Sequence, residues 1–331
     1  MTTFADRHRS DFNFSGAAGS FGDILWRDHA GDNVLWLMAN TTAATGGIAT
    51  LPFVTPDWHF KAAADFSLTG SGDADILWQN DNGSLVLWQM EGATVSAINA
   101  LPDPGPTWHV IADNDFNGDT ADDILFQNDN GSLALWLITG TSPPTILGIF
   151  AGTQNPGPTW HVVGTGDTNP DPLERAAILW QNDNGALALW DNVSATAETS
   201  GSFTFNTVVA LPAVDPSWHA KGMADVSGDN LADIIFQNDS GAVAIWEMGG
   251  GASGTTISAM NLVNINPGPG WHIVGLRDMN RDGRADILFQ HDNGAAAVWE
   301  SYASLGGGVA GFFAAAINPN PNPNGHIWDL L

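Results

Sequence analysis

Three stretches of the chain set oxygen-bearing side chains at a spacing suited to a hard cation. They read Asp278-Met-Asn-Arg-Asp-Gly-Arg-Ala-Asp286, Asp115-Phe-Asn-Gly-Asp-Thr-Ala-Asp-Asp123 and Asp225-Val-Ser-Gly-Asp-Asn-Leu-Ala-Asp233. Oxygens fall at loop positions 1, 3, 5 and 9: Asp115, Asn117, Asp119 and Asp123; Asp225, Ser227, Asp229 and Asp233; Asp278, Asn280, Asp282 and Asp286. Position 7 (Ala121, Leu231 or Arg284) is left to offer its backbone carbonyl. Calcium takes roughly six to eight oxygens in flexible geometry, and this alternation can turn successive oxygens toward one ion. Without a cation the carboxylates repel: a pair 4 Å apart costs about 4 kcal/mol at an effective dielectric of 20. A divalent ion reverses that sign. The same aspartates could be ordinary turn formers, but three copies in register favour the cation.

Three related loops are weaker. Asp65-Phe-Ser-Leu-Thr-Gly-Ser-Gly-Asp-Ala-Asp75 carries two extra residues yet keeps Asp65, Ser67, Asp73 and Asp75, and is a further candidate. The loop from Asp167 ends on Ala177, and the loop from Asn13 to Asp23 lacks central acids. Both are expected to be empty.

These loops recur because the chain does. Each precedes a segment like Asp75-Ile-Leu-Trp-Gln-Asn-Asp-Asn-Gly-Ser-Leu-Val-Leu-Trp88. The first landmark aromatic falls at Trp26, Trp78, Phe126, Trp180, Phe236 and Phe289, and a tryptophan follows ten residues after each. Runs typified by Trp108–Ala112, Asp123–Gln127, Ser132–Ile138 and Thr145–Phe150 show no helical period. Asn128-Asp-Asn-Gly131 supplies the positive-φ positions of a tight hairpin. Four strands in about 52 residues is the size of a propeller blade. The expectation is all-β: a six-bladed β-propeller of four-stranded antiparallel blades, one domain over 1–331. The first unit lacks an innermost strand of its own, and Gly325-His-Ile-Trp-Asp-Leu-Leu331, after the Asn318–Asn324 spacer, is expected to supply it. The alternative is Thr3–Arg9.

A second set of positions could meet a ligand. Trp58-His59, Trp108-His109, Trp160-His161, Trp218-His219 and Trp271-His272 open five units. Neighbours in a strand face opposite ways, so one partner packs while the other reaches a groove. A structural role is the blander reading of the histidines, and hairpin chemistry that of Gln79, Gln127, Gln181 and Gln237. Amides and carboxylates beside tryptophan rings also suit sugars, and repetition would add avidity. The ten-residue tryptophans read as packing between blades. Of the sequons at Asn40, Asn82, Asn130 and Asn192, two coincide with hairpin turns, which explain them without glycosylation.

The loop Asp-x-Asn-x-Asp-Gly-x-x-Asp leading into Ile-Leu-Trp/Phe resembles the FG-GAP/VCBS repeats of integrin-α-like β-propellers, from about Asn13 onward. That resemblance implies one calcium per well-formed loop, hence three Ca2+ with a fourth in the second loop. Adhesion receptors, lectins and secreted bacterial proteins belong to this family.

Composition narrows the function. Of 331 residues, 36 are acidic and 9 basic, a net charge of −27, which disfavours nucleic acid and anionic membranes. Absence of cysteine excludes thiolate chemistry. No apolar stretch is long enough for a spanning helix, and Met1–Arg9 lacks the apolar run of a signal peptide. No nucleotide-binding, zinc-hydrolase or serine-hydrolase signature occurs. The expected function is a calcium-binding, non-catalytic recognition module outside the cell, lectin-like or adhesive, with glycan slightly favoured over protein. Its export would need a signal-independent route or a truncated chain. The alternatives are a propeller-framed enzyme on polysaccharide or phosphoester, or a purely structural secreted calcium protein.

Overall fold

The computed structural model describes residues 22–39, 42–68, 73–168, 176–195, 200–249, 256–303, 309–317 and 328–330. Most of the first loop, the middles of the second and fourth loops, Thr3–Arg9, Asn40 and the 318–324 spacer lie outside them. The described residues form strands and turns and no helix, so no helix is long and apolar enough to cross a membrane.

A complete unit runs from an inner to an outer strand, as in Trp58–Ala64, Asp75–Asn80, Leu85–Glu91 and Thr94–Leu101. All pairings within it are antiparallel. The hairpin after the second strand turns at Gly83, with φ of 97°. A Cβ there would stand 2.3 Å from the Gly105 carbonyl carbon, so glycine lets this turn dock on the Pro-rich turn of the next unit.

The period-2 alternation of the second strands builds the core. Ile76 and Trp78 pack with Leu25 and Leu35 of the first unit, while Leu77 between them packs with Ile124 and Phe126 of the third. The same division recurs between the third and fourth, fourth and fifth, and fifth and sixth units. A sixth cluster joins Ile24 and Trp26 of the first unit to Leu288 and Val298 of the last. Each ten-residue tryptophan meets its landmark aromatic, with centroids 4.6 Å apart for Phe126–Trp136 and 5.3 Å for Trp78–Trp88. The first unit takes its inner strand from Trp328–Leu330, paired antiparallel with Ile24–Asp28, as the closing-segment expectation required.

The architecture is therefore all-β and propeller-like, but the described strands do not form six separate sheets. Four sheets have four strands and one has eight. The eight-stranded sheet arises because the outer strand of the fourth unit, Ser200–Leu211, is 12 residues long. Its beginning pairs in parallel with Ile149–Gly152 of the third. Gln154 fastens the junction, donating to Phe205 O at 2.9 Å and accepting from Phe205 N at 2.8 Å. An unpaired edge exposes backbone donors and acceptors, and here two edges satisfy each other.

Candidate metal loops and ligand-facing positions

The three best acidic loops share one backbone. Positions 4 and 6 are left-handed in each: Gly118 and Thr120, Gly228 and Asn230, Arg281 and Gly283. One of the two is always non-glycine, a conformation costing on the order of 1 kcal/mol. The first aspartate holds this shape. Asp115 Oδ1 accepts from Gly118 N at 2.6 Å and Oδ2 from Thr120 N at 2.7 Å. Asp278 does the same with Arg281 N at 2.7 Å and Gly283 N at 2.9 Å, and Asp225 with Gly228 and Asn230. Positions 3 and 5 meet through Asn117 Nδ2 to Asp119 Oδ2 at 3.0 Å and Asn280 Nδ2 to Asp282 Oδ2 at 3.3 Å. Phe116, Val226 and Met279 at position 2 are fully buried and anchor the loops.

The ninth aspartate is the electrostatic focus. Asp123, Asp233 and Asp286 are 0% exposed. Each carboxylate accepts from the third strand, as Asp233 does from Met248 N at 2.9 Å. Burial pushes Asp286 up to about 8, with Asp278 and Asp282 adding to it. Burial pushes Asp233 up to about 7, aided by Asp225 and Asp229. Asp123 rises well above the carboxylate range for the same reasons, burial first, then Asp115 and Asp119. Asp23 of the first unit makes the same strand contact, to Met38 N at 2.7 Å, so that bond alone is structural. The surrounding acids distinguish the three loops.

The second loop places three polar atoms of this kind out of solvent. Among the described residues, Ser67 Oγ, Asp73 Oδ1 and Asp75 Oδ2 are buried and close no hydrogen bond. Burial pushes Asp75 up to about 7. Among the described residues no three carboxylates or imidazoles close on one point by themselves. A cation at these loops would therefore also draw on neutral oxygens: Asn117, Ser227, Asn280 and the carbonyls of Ala121, Leu231 and Arg284. Hard oxygens of this kind suit calcium.

The loops are also chained to one another. The N–H of the residue before each loop's last position donates to the first-position carbonyl of the preceding loop: Asp122 to Asp65, Ala176 to Asp115, Ala232 to Asp167 and Ala285 to Asp225. Gly22 N donates to Asp278 O at 2.8 Å, carrying the chain from the last unit to the first. Arg277, buried beside it, donates to Asp23 O at 2.6 Å. Arg284 extends its guanidinium to Ser227 O of the preceding loop.

At the opposite ends of the same strands, the Trp-His positions divide as alternation requires. Trp58, Trp108, Trp160, Trp218 and Trp271 are half-buried against the inter-unit clusters. The histidines face out and pair with the hairpin aspartates. Nε2 to Oδ1 is 2.6 Å for His59–Asp81, 2.7 Å for His109–Asp129 and His272–Asp292, and 2.8 Å for His161–Asp183 and His219–Asp239. Both partners are about half exposed or more, so each pair contributes little to stability.

The glutamines turn out to be staples between units. Gln79 donates to Trp108 O at 2.7 Å and accepts from Val110 N at 3.0 Å. Gln181 makes the same contacts with Trp218 O and Ala220 N, and Gln237 with Trp271 O and Ile273 N. Gln127 makes longer contacts, 3.4 Å to Trp160 O. With both ends of their amides occupied, Gln79, Gln181 and Gln237 are not displayed for a ligand. Arg27 holds the equivalent place in the first unit, donating to Trp58 O at 2.6 Å with its guanidinium 5.0 Å from the Trp78 ring centroid. Its alignment with the glutamines after each landmark aromatic was the available signal. Gln237→Leu should lower stability by about 2–4 kcal/mol, since it orphans a buried donor and acceptor. Thermal melting checks this, and a neutral result would contradict the staple.

Two grooves lie beside these staples. One, of about 230 Å³ between the fourth and fifth units, is lined by His161, Asn182, Asp183, Pro216 and His219. The other, about 280 Å³ between the first and second, is walled by Phe53, Trp58, Trp88 and Ile98. Ile98 stands across from Trp88 in the sheet and is 59% exposed. Ile48, Ile149, Val208 and Met260 hold the same place opposite their tryptophans and are likewise exposed.

A family model for an FG-GAP-like repeat matches residues 225–289, spanning the third best acidic loop, its strands and the loop at Asp278. A search of curated proteins finds no match.

Proposed function

We propose that this chain, whose residues 225–289 match an FG-GAP-like repeat and whose sheets are arranged like propeller blades, is a calcium-dependent recognition module outside the cell, non-catalytic, with six blades. In this reading the eight-stranded sheet counts as two blades whose outer edges have joined, matching the six inter-unit clusters among the described residues. Calcium would be held by Asp115, Asn117, Asp119 and Asp123, by Asp225, Ser227, Asp229 and Asp233, and by Asp278, Asn280, Asp282 and Asp286. A fourth ion would use Asp65, Ser67, Asp73 and Asp75. The ion supplies the positive charge that the buried ninth carboxylate and its neighbours lack. That electrostatic load, present three times on one backbone design, is the observation that carries the proposal.

The ligand favoured is a glycan. The groove between the first and second units offers an apolar face at Trp58, Trp88 and Ile98, and the separate groove between the fourth and fifth offers hydrogen-bonding groups at His161, Asp183 and His219; each supplies one kind of surface that a sugar uses. Similar grooves repeated round the ring would give several weak sites and hence avidity. A glycan array read with calcium and with chelator tests this. The expected result is binding to multivalent sugars that chelator abolishes. Binding to no sugar, together with turnover of a polysaccharide or phosphoester, would replace it with an enzyme.

A further inference from the structure

Five inner strands are bulged at the same place, and what stands there differs. In each, the register against the second strand skips one residue: Lys61, Ile111, Val163, Lys221 and Val274. A bulge re-aims its extra side chain out of the regular alternation. In the fourth unit that residue, Val163, lines the groove shared with the fifth, beside His161, Asp183 and His219. Two of the five places hold lysine instead of an aliphatic residue. These are the only lysines in a chain of 331 residues with a net charge of −27. By register Lys61 takes the place of Val163 between the second and third units, and Lys221 takes it between the fifth and sixth.

Neither lysine is engaged elsewhere. Among the described residues neither ammonium closes a hydrogen bond or an ion pair, whereas Arg27, Arg277 and Arg284 donate to backbone carbonyls. Lys61 is half-buried and Lys221 exposed. Burial pulls both below the ordinary lysine value, and Asp239 offsets part of that at Lys221. An ammonium that has lost water without gaining a counter-ion is stabilised by an arriving anion. In the groove at Val163 the lining carboxylate, Asp183, has no lining ammonium to offset it, so an anion is repelled there.

We propose that the two lysine-bearing places, three units apart in the six-unit ring, are subsites for an anionic substituent on a sugar, a carboxylate or a sulfate, so that the ligand class is an acidic polysaccharide. The proposal rests on the glycan reading above and narrows it. A lysine ammonium is a point charge that accepts either anion. The chain's overall charge opposes polyanions, so the preference is local to these two places. Salt at about 0.15 M screens the long-range field beyond roughly 8 Å and leaves the contact itself.

The test is an oligosaccharide array at that salt and at constant free calcium. It sets uronate oligosaccharides beside their carboxyl-reduced counterparts, and a neutral oligosaccharide beside its sulfated form. Acidic members should bind about tenfold tighter than their neutral counterparts, and the arm that shows this identifies the anion. Lys61→Met and Lys221→Met keep the apolar stem and remove the charge. Each alone should halve the number of acid-preferring sites in titration calorimetry. The double variant K61M/K221M should erase the preference while neutral sugars still bind and the melting temperature holds. If acidic and neutral sugars bind the parent alike, or if the double variant keeps the preference, the proposal is overturned and the glycan reading stands. Binding to no sugar of either kind ends both.

Discussion

Excess chelator at pH 8 is expected to lower the melting temperature by on the order of 10 °C. A ligand that binds only the folded state adds about 2.7 kcal/mol at a hundredfold excess over its dissociation constant. Three independent loops would then add roughly 8 kcal/mol, and a chain of this length converts that into a shift of this order. The loops should respond separately. Asp282→Ala should remove about a third of the effect, because the other two loops keep their own oxygens. Differential scanning calorimetry with calcium restored in steps checks both statements. A melting temperature indifferent to chelator would leave the acidic loops as turn formers and end the calcium proposal.

The second large effect is an inverted pH dependence in the metal-free protein. An unfolded aspartate holds its proton only below about 3.9. Folded Asp233 is pushed up to about 7 and Asp286 to about 8. Between those limits the folded state binds more protons than the unfolded state, so stability falls as pH rises. It is fully present below the unfolded value and lost by pH 8, on the order of 4 kcal/mol for each buried carboxyl. Metal-free protein should therefore melt higher at pH 5 than at pH 8, whereas calcium should flatten or reverse that order by favouring the ionised form. General acidic repulsion acts in the same direction, so Asp286→Asn separates the two. Removing this one buried charge should stabilise the protein in chelator at pH 8 and destabilise it in calcium. If the substitution has the same sign in both conditions, the ninth position is a strand cap only.

Both predictions rest on residues legible before any coordinates. The acidic spacing, the landmark aromatics and the hairpin glycines each have a local cause: a carboxylate folding its own loop, an alternation of period two, a positive φ. Local causes repeat with the sequence, so the repeat announced the strands and the inner partner of the first unit. The glutamines were less readable. In sequence they abut the hairpin turn, and only the neighbouring unit's backbone shows that Gln237 reaches Trp271 O and Ile273 N.

What the chain determined by itself is whatever a single unit contains: four strands, one tight turn, one acidic loop and the direction each side chain faces. What only the tertiary structure decided lies between units. The parallel seam of Ser200–Phe203 on Ile149–Gly152, the hydrogen-bonded chain of loops that returns from Asp278 to Gly22, and Arg27 in a glutamine's place join residues dozens to hundreds of positions apart. Backbone donors and acceptors at a unit's edge take whichever partner packing brings within reach, and no spacing along the chain encodes that choice.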